Sequence, residues 1–179
     1  MAHEAQKQFC EQVVAKFPEL FINKQSLDIG SLDINGNNRW MFKKGTCLGL
    51  DVGAGPNVDI VSKGHEYNPP NDSFDVIVST ECFEHDMYYP QTFANIIRML
   101  KPGGIFVFTC ATIGRQEHGT RRANSWAAPL LSEEWSDYYK NLTEKDVRDI
   151  MDVDVFESYE FQTNRNACDL YFWGIKKAS

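Results

Sequence analysis

Apolar residues recur at Phe9, Val13, Phe17 and Leu20, a helical spacing, and Pro18 interrupts the run. The pattern predicts an N-terminal helix within residues 1–25. Beyond it the period shortens to that of strands. Short apolar runs at Ser26–Gly30, Thr46–Asp51 and Val58–Ser62 follow, the first two separated by a helical turn near Asn37–Phe42. Between the second and third the chain offers Gly53-Ala54-Gly55-Pro56, a turn with no room for a helix, so one helical crossover has been trimmed. Phe74–Ser79 is the clearest buried strand. Pro90 suits the first position of a helix whose core face is Phe93, Ile96, Ile97 and Leu100. Pro102-Gly103-Gly104 is expected to end that helix and turn the chain into a strand at Ile105–Cys110, a right-handed strand–helix–strand unit.

Residues 111–142 lose this order. They are polar, carry Arg, Ser and Trp, and are too many for an idle connector. Thr143 caps a helix running to Met151, with Asp146 three residues on. Residues 153–177 then read as a closing hairpin, Val155–Gln162 against Cys168–Ile175. The whole is expected to form one α/β domain over residues 1–179.

Composition narrows the function. Of 179 residues, 42% are hydrophobic, enough for a substantial core, and the net charge of -7 disfavours broad nucleic-acid binding. The five cysteines are scattered without a Cys-x-x-Cys pair, which points to a reducing compartment rather than a disulfide framework. No basic, apolar leader and no apolar run of about 20 residues is present. The expectation is a soluble cytoplasmic protein with a small-molecule partner, no membrane partner, and room for a homodimer.

Two carboxylates carry the chemistry. Leu27-Asp28-Ile29-Gly30-Ser31 and Gly49-Leu50-Asp51-Val52 each end a strand, and an acid following a strand-end glycine at this distance suits a ribose diol. With Phe74–Ser79, Glu84-His85 and Leu100-Lys101-Pro102-Gly103-Gly104, these segments resemble the class I S-adenosylmethionine-dependent methyltransferases over Ser26 to Lys176. The resemblance implies a Rossmann-like, mostly parallel seven-stranded sheet with an antiparallel C-terminal hairpin and helices on both faces. It also implies S-adenosylmethionine as cofactor. Gly30 and Ser31 would approach its methionyl amine and Asp51 its ribose hydroxyls, with Asp28, Leu32 and Val52 also among the cofactor-binding residues. Gly64 and His65 would meet adenine, and Ser79, Thr80 and Glu81 would pass beneath the sulfonium. Leu32 and Ile34 stand where the family usually has glycine, and Lys63 where it has an acid for adenine.

Methyl transfer needs a positioned acceptor and, for a hydroxyl, somewhere for the proton to go. Glu81, His85 and His118 are the candidate bases. Glu81, Glu84 and His85 would share one face of a helix, and with His118 they could hold a divalent metal; the spacing looks like that of metal-dependent O-methyltransferases. A metal-free reading, with Glu84 supporting the helix start, is favoured. Arg115, His118 and Tyr139 are the candidate acceptor-binding residues, and the aromatic residues Trp126, Trp135 and Tyr138 could wall the pocket. The leading expectation is methyl transfer to a small molecule, with a slight preference for a hydroxyl. The alternative is a cofactor-binding subunit without turnover. His3 is expected to be a disordered terminal residue.

Overall fold

The computed structural model describes residues 3–132 and 134–178. Its principal elements are α1 (Glu4–Lys16), β1 (Gln25–Ile29), β2 (Thr46–Asp51), β3 (Ile60–Val61) and β4 (Phe74–Thr80). There follow α2 (Tyr89–Met99), β5 (Leu100–Ala111), α3 (Glu144–Arg148), β6 (Phe156–Asn164) and β7 (Asp169–Lys176). The strands form one sheet in the order β3-β2-β1-β4-β5-β7-β6. Pairings from β3 through β5 are parallel, whereas β7 runs antiparallel to both β5 and β6.

Alternation along the central strands divides the core in two. Ile77, Phe106, Phe108 and Phe172 point to the face covered by α2 and α3, where they meet Phe93, Ile96 and Val147. Val76, Val78, Ile105, Val107 and Trp173 point to the other face, against Phe9, Val13 and Met41 from α1 and the chain after β1. Burying each such side chain contributes about 1.5–3 kcal/mol, so the sheet is clamped from both sides. The expected architecture is the observed one.

Local signals account for most of the element ends. Pro90 stands in the first turn of α2, where a missing N–H costs nothing. Thr143 and Asp146 form a capping box at α3, the Asp146 carboxylate accepting the Thr143 N–H at 2.8 Å. Two expectations need correction. The Pro102-Gly103-Gly104 segment lies within β5: Phe74 already pairs with Leu100, and a bulge precedes the Val76–Ile105 pair. Gly103, at φ +74°, supplies the conformation that the bulge requires. The third strand contracts to Ile60–Val61, because the Val58 N–H turns back to the Gly55 carbonyl.

Strand order reverses between β1 and β4. In an open parallel sheet, ligands bind at the carboxyl ends of the strands at such a point. The loops after β1, β2, β4 and β5 all converge there.

Candidate functional site

Gly30 leaves β1 at φ +77°, and a Cβ on it would lie 2.6 Å from both Cβ and Sγ of Cys82. Only glycine lets the chain after β1 pass this closely under the loop after β4. Asp51, at the end of β2, accepts the Leu32 N–H at 3.0 Å through Oδ2 and the Val52 N–H at 2.8 Å through Oδ1. Those bonds fix the carboxylate and leave further lone pairs for a ligand diol. Asp28 is buried, and its two oxygens lie 3.1 and 3.2 Å from the Asn38 amide, which also donates to Thr80 Oγ1 at 3.0 Å. Burial pushes the Asp28 carboxyl up to about 7, against the pull of the Asn38 bonds.

Two adjoining compartments open from these residues. The first, with about 710 Å³ of unfilled space, is bordered by Asp28, Ser31, Asn38, Thr80, Glu81 and the 127–131 stretch. The second, about 360 Å³, is bordered by Val52, Ser62, Gly64, Asp86, Leu131 and Trp135. Gly30, Asp51, Cys82 and His85 border both. Leu32 and Ile34 line the first compartment without filling it, since the Leu32 side chain packs toward Gly55.

Most of the expected cofactor residues meet here, with two exceptions. Ser79 is fully buried and spends its hydroxyl on the Ile29 carbonyl at 2.9 Å, so it ties β4 to β1. The His65 ring stacks outside the second compartment against Tyr88 and Trp135. Asn38, Cys82, Asp86 and the 127–131 stretch complete the cleft without any motif to announce them. Trp135 is buried and borders the second compartment, yet its indole Nε1 has no hydrogen-bond partner among the described residues.

Glu81 departs furthest from expectation. It is not on a helix with Glu84 and His85: its N–H bonds to the Thr109 carbonyl at 2.8 Å, its φ is +52°, and only Phe83–His85 form a 3₁₀ turn. Its side chain therefore turns toward β5 and β7. There it accepts from Thr109 Oγ1 at 3.0 Å and from Arg115 at 3.3 Å. Arg115 also reaches Asp169 at 3.0 Å and the Ala167 carbonyl at 2.7 Å, so it serves this buried network rather than facing an acceptor. His3 completes the network. Its Nε2 lies 3.0 Å from Asp169 and 3.6 Å from Glu81, and those contacts raise its pKa to about 9, so it is anchored rather than disordered. Burial pushes the Glu81 carboxyl up, but the bond from His3 and the charges of His3 and Arg115 prevail and hold it low. Glu81 is a poor base here.

Glu84, His85 and His118 gather on the other side of Glu81. His118 Nε2 lies 4.0 Å from Glu84 Oε1, and the two imidazoles meet edge to face at 5.0 Å. Tyr139 packs on both rings, its hydroxyl held by the Gln116 carbonyl at 3.3 Å. Burial and the nearby His118 lower His85 to about 3. Burial lowers His118 as well, and it raises Glu84, with the Glu81 charge adding to the effect. The pair of imidazoles is neutral.

The family described as a methyltransferase domain matches residues 1–151. The chain belongs to that family. The motif resemblance is thereby borne out, and with it the enzyme class. Solved structures agree in fold. The 1,6-didemethyltoxoflavin-N1-methyltransferase of Burkholderia thailandensis, with 1,6-didemethyltoxoflavin and S-adenosylhomocysteine bound, has a TM-score of 0.65 at 15% identity, covering 97% of this chain and 79% of that one. The phosphoethanolamine N-methyltransferase 2 of Haemonchus contortus, with S-adenosyl-L-methionine, scores 0.65 at 17% identity over 95% of this chain and 52% of its own. The CurJ carbon methyltransferase scores 0.66 at 16% identity over 97% and 54%. This methyltransferase domain thus spans about half the length of the last two. No curated protein matches it. Among the described residues no helix is long and apolar enough to cross a membrane.

Proposed function

We propose that the chain transfers a methyl group from S-adenosylmethionine to a hydroxyl of a small, uncharged acceptor. The observation that carries this reading is the double compartment hinged on Asp51. In it, Asp51 takes the ribose hydroxyls. Asp28, beside Gly30 and Ser31, takes the methionyl ammonium. Val52, Gly64, Leu131 and Trp135 enclose the adenine. The backbone and Trp135 replace the acid that Lys63 does not supply.

When bound, the cofactor supplies an electrophilic methyl carbon, which bonds to the acceptor oxygen as the carbon–sulfur electrons return to sulfur. The residues around the Glu81 end set what can accept it. Glu81 and Asp169 are balanced by Arg115 and the protonated His3, so neither carboxylate is left unpaired to hold an ammonium group. A neutral hydroxyl suits this wall better than a cationic amine. Its proton must leave as the bond forms; His85 borders the compartment, but burial holds its pKa at about 3 and makes it too weak a base to take that proton unaided. Radiolabelled methyl transfer to panels of matched alcohols and amines tests the reading. Label in the alcohols supports it; label confined to amines or to carbon acceptors contradicts it.

A further inference from the structure

We propose that the groove between the first turn of α1 and residues 35–40 binds a neutral sugar ring, which carries the accepting hydroxyl into the first compartment. The inference deepens, and rests on, the hydroxyl-acceptor reading above. Gln6, Asn35, Asn37, Asn38 and Trp40 border the groove. Asn35, Gly36, Asn37 and Asn38 also border the first compartment, so a molecule seated in the groove adjoins the compartment proposed for the methionyl end of the cofactor.

Gln6 supplies the observation that points to a ligand. The residue is 2% exposed, yet its Oε1 has no hydrogen-bond partner among the described residues, and its Nε2 reaches Cys10 Sγ at 3.6 Å. A buried carboxamide oxygen left bare forfeits its hydration, and a ligand hydroxyl donating to it restores the loss. The 35–40 stretch is fixed in place. Asn37 Nδ2 donates to Asp33 at 2.8 Å while its Oδ1 accepts the Arg39 N–H at 3.0 Å, and Asn38 is tied to Asp28 and Thr80. The 3₁₀ turn at Arg39–Met41 buries Met41 in the core and leaves Trp40 38% exposed at the groove. A wall held this way costs little ordering when a ligand arrives.

The lining suits a sugar by its chemistry. A pyranose presents hydroxyls around its rim, each a donor and an acceptor, and C–H groups on its faces. Carboxamides match the rim, and an exposed indole gives a face an apolar bed. The charged residues that border the groove have partners: His3 Nε2 lies 3.0 Å from Asp169, Glu4 accepts from Gln8 at 3.0 Å, and Lys7 Nζ lies 3.8 Å from Glu11. A charged ligand would compete with these contacts, whereas a neutral one leaves them intact. In the transfer the sugar oxygen gains the methyl carbon, the carbon–sulfur pair stays with sulfur, and the hydroxyl proton leaves to water.

Radiolabelled methyl transfer to the methyl glycosides of glucose, galactose, mannose and rhamnose, beside simple alcohols, tests the inference. Calorimetry with S-adenosylhomocysteine is run on the same samples. Label should enter at least one glycoside in preference to the simple alcohols. Gln6→Leu and Trp40→Ala should each raise KM for that glycoside about tenfold, more than they lower kcat, with S-adenosylhomocysteine affinity unchanged. Gln6→Leu should also resist urea at least as well as wild type, a result that a purely structural glutamine would not give. No label in any glycoside while S-adenosylhomocysteine binds, or an unchanged glycoside KM in both variants, overturns the groove. Label in the simple alcohols then leaves the hydroxyl reading standing, whereas failure to bind S-adenosylhomocysteine sinks the methyltransferase reading itself.

Discussion

The backbone N–H of Leu32 donates to Asp51 Oδ2 at 3.0 Å, so the loop that follows β1 is fastened to the carboxylate that ends β2. This bond explains how a chain with leucine in place of a family glycine still keeps an open cleft. The side chain at position 32 packs aside toward Gly55. It also means that Asp51 shapes the site in which the proposed reading has it bind the ribose.

Trp135 offers the second compartment, the proposed adenine site, a buried N–H with no partner among the described residues. Phenylalanine at this position would preserve the packing and remove the donor. Trp135→Phe is expected to weaken S-adenosylhomocysteine binding by about 1 kcal/mol, roughly fivefold. Calorimetry decides it, and an unchanged affinity would mean that the indole only walls the compartment.

Asp28 predicts a pH dependence. Its carboxyl, raised by burial to about 7, is ionised above that pH and neutral below it. The methionyl ammonium favours the ionised form, so a proton must be expelled on binding at lower pH. Cofactor affinity should therefore fall as pH drops below about 7, by up to about tenfold per pH unit. Asp28→Asn should bind weakly and with a flat profile; a wild-type affinity that holds steady across this range would argue against the assignment.

Arg115 bridges two buried carboxylates, and removing it strands both. Arg115→Ala is expected to cost about 3 kcal/mol of stability, measured by urea denaturation. A variant as stable as wild type but with a raised KM would return Arg115 to the acceptor-binding role expected from the sequence.

These residues also mark what could be read before the fold was known. Gly30 and Asp51 were legible because strand-end glycines and carboxylates are local signals, visible in a few consecutive residues. The sheet was legible for the same reason: its central strands are nearly continuous apolar runs. Asn38 was not, since its partners Asp28 and Thr80 lie outside its irregular segment. Nor was His3, whose partners stand on the loop after β4 and at the start of β7. Glu81 was misjudged because helical spacing was assumed, whereas its backbone continues toward β5 and turns in a left-handed conformation. The 111–142 segment has no period at all, so its Leu131 and Trp135 reach the cofactor side of the cleft by tertiary packing alone.

The central claim is that Asp51 joins two compartments into one nucleoside site. Calorimetric titration of S-adenosylhomocysteine into wild-type protein and into Asp51→Ala tests it most directly. The account predicts saturable one-to-one binding to wild type and a loss of at least about 2 kcal/mol, roughly thirtyfold, in the variant. No heat of binding in wild type, or equal affinity in a folded Asp51→Ala protein, would contradict it.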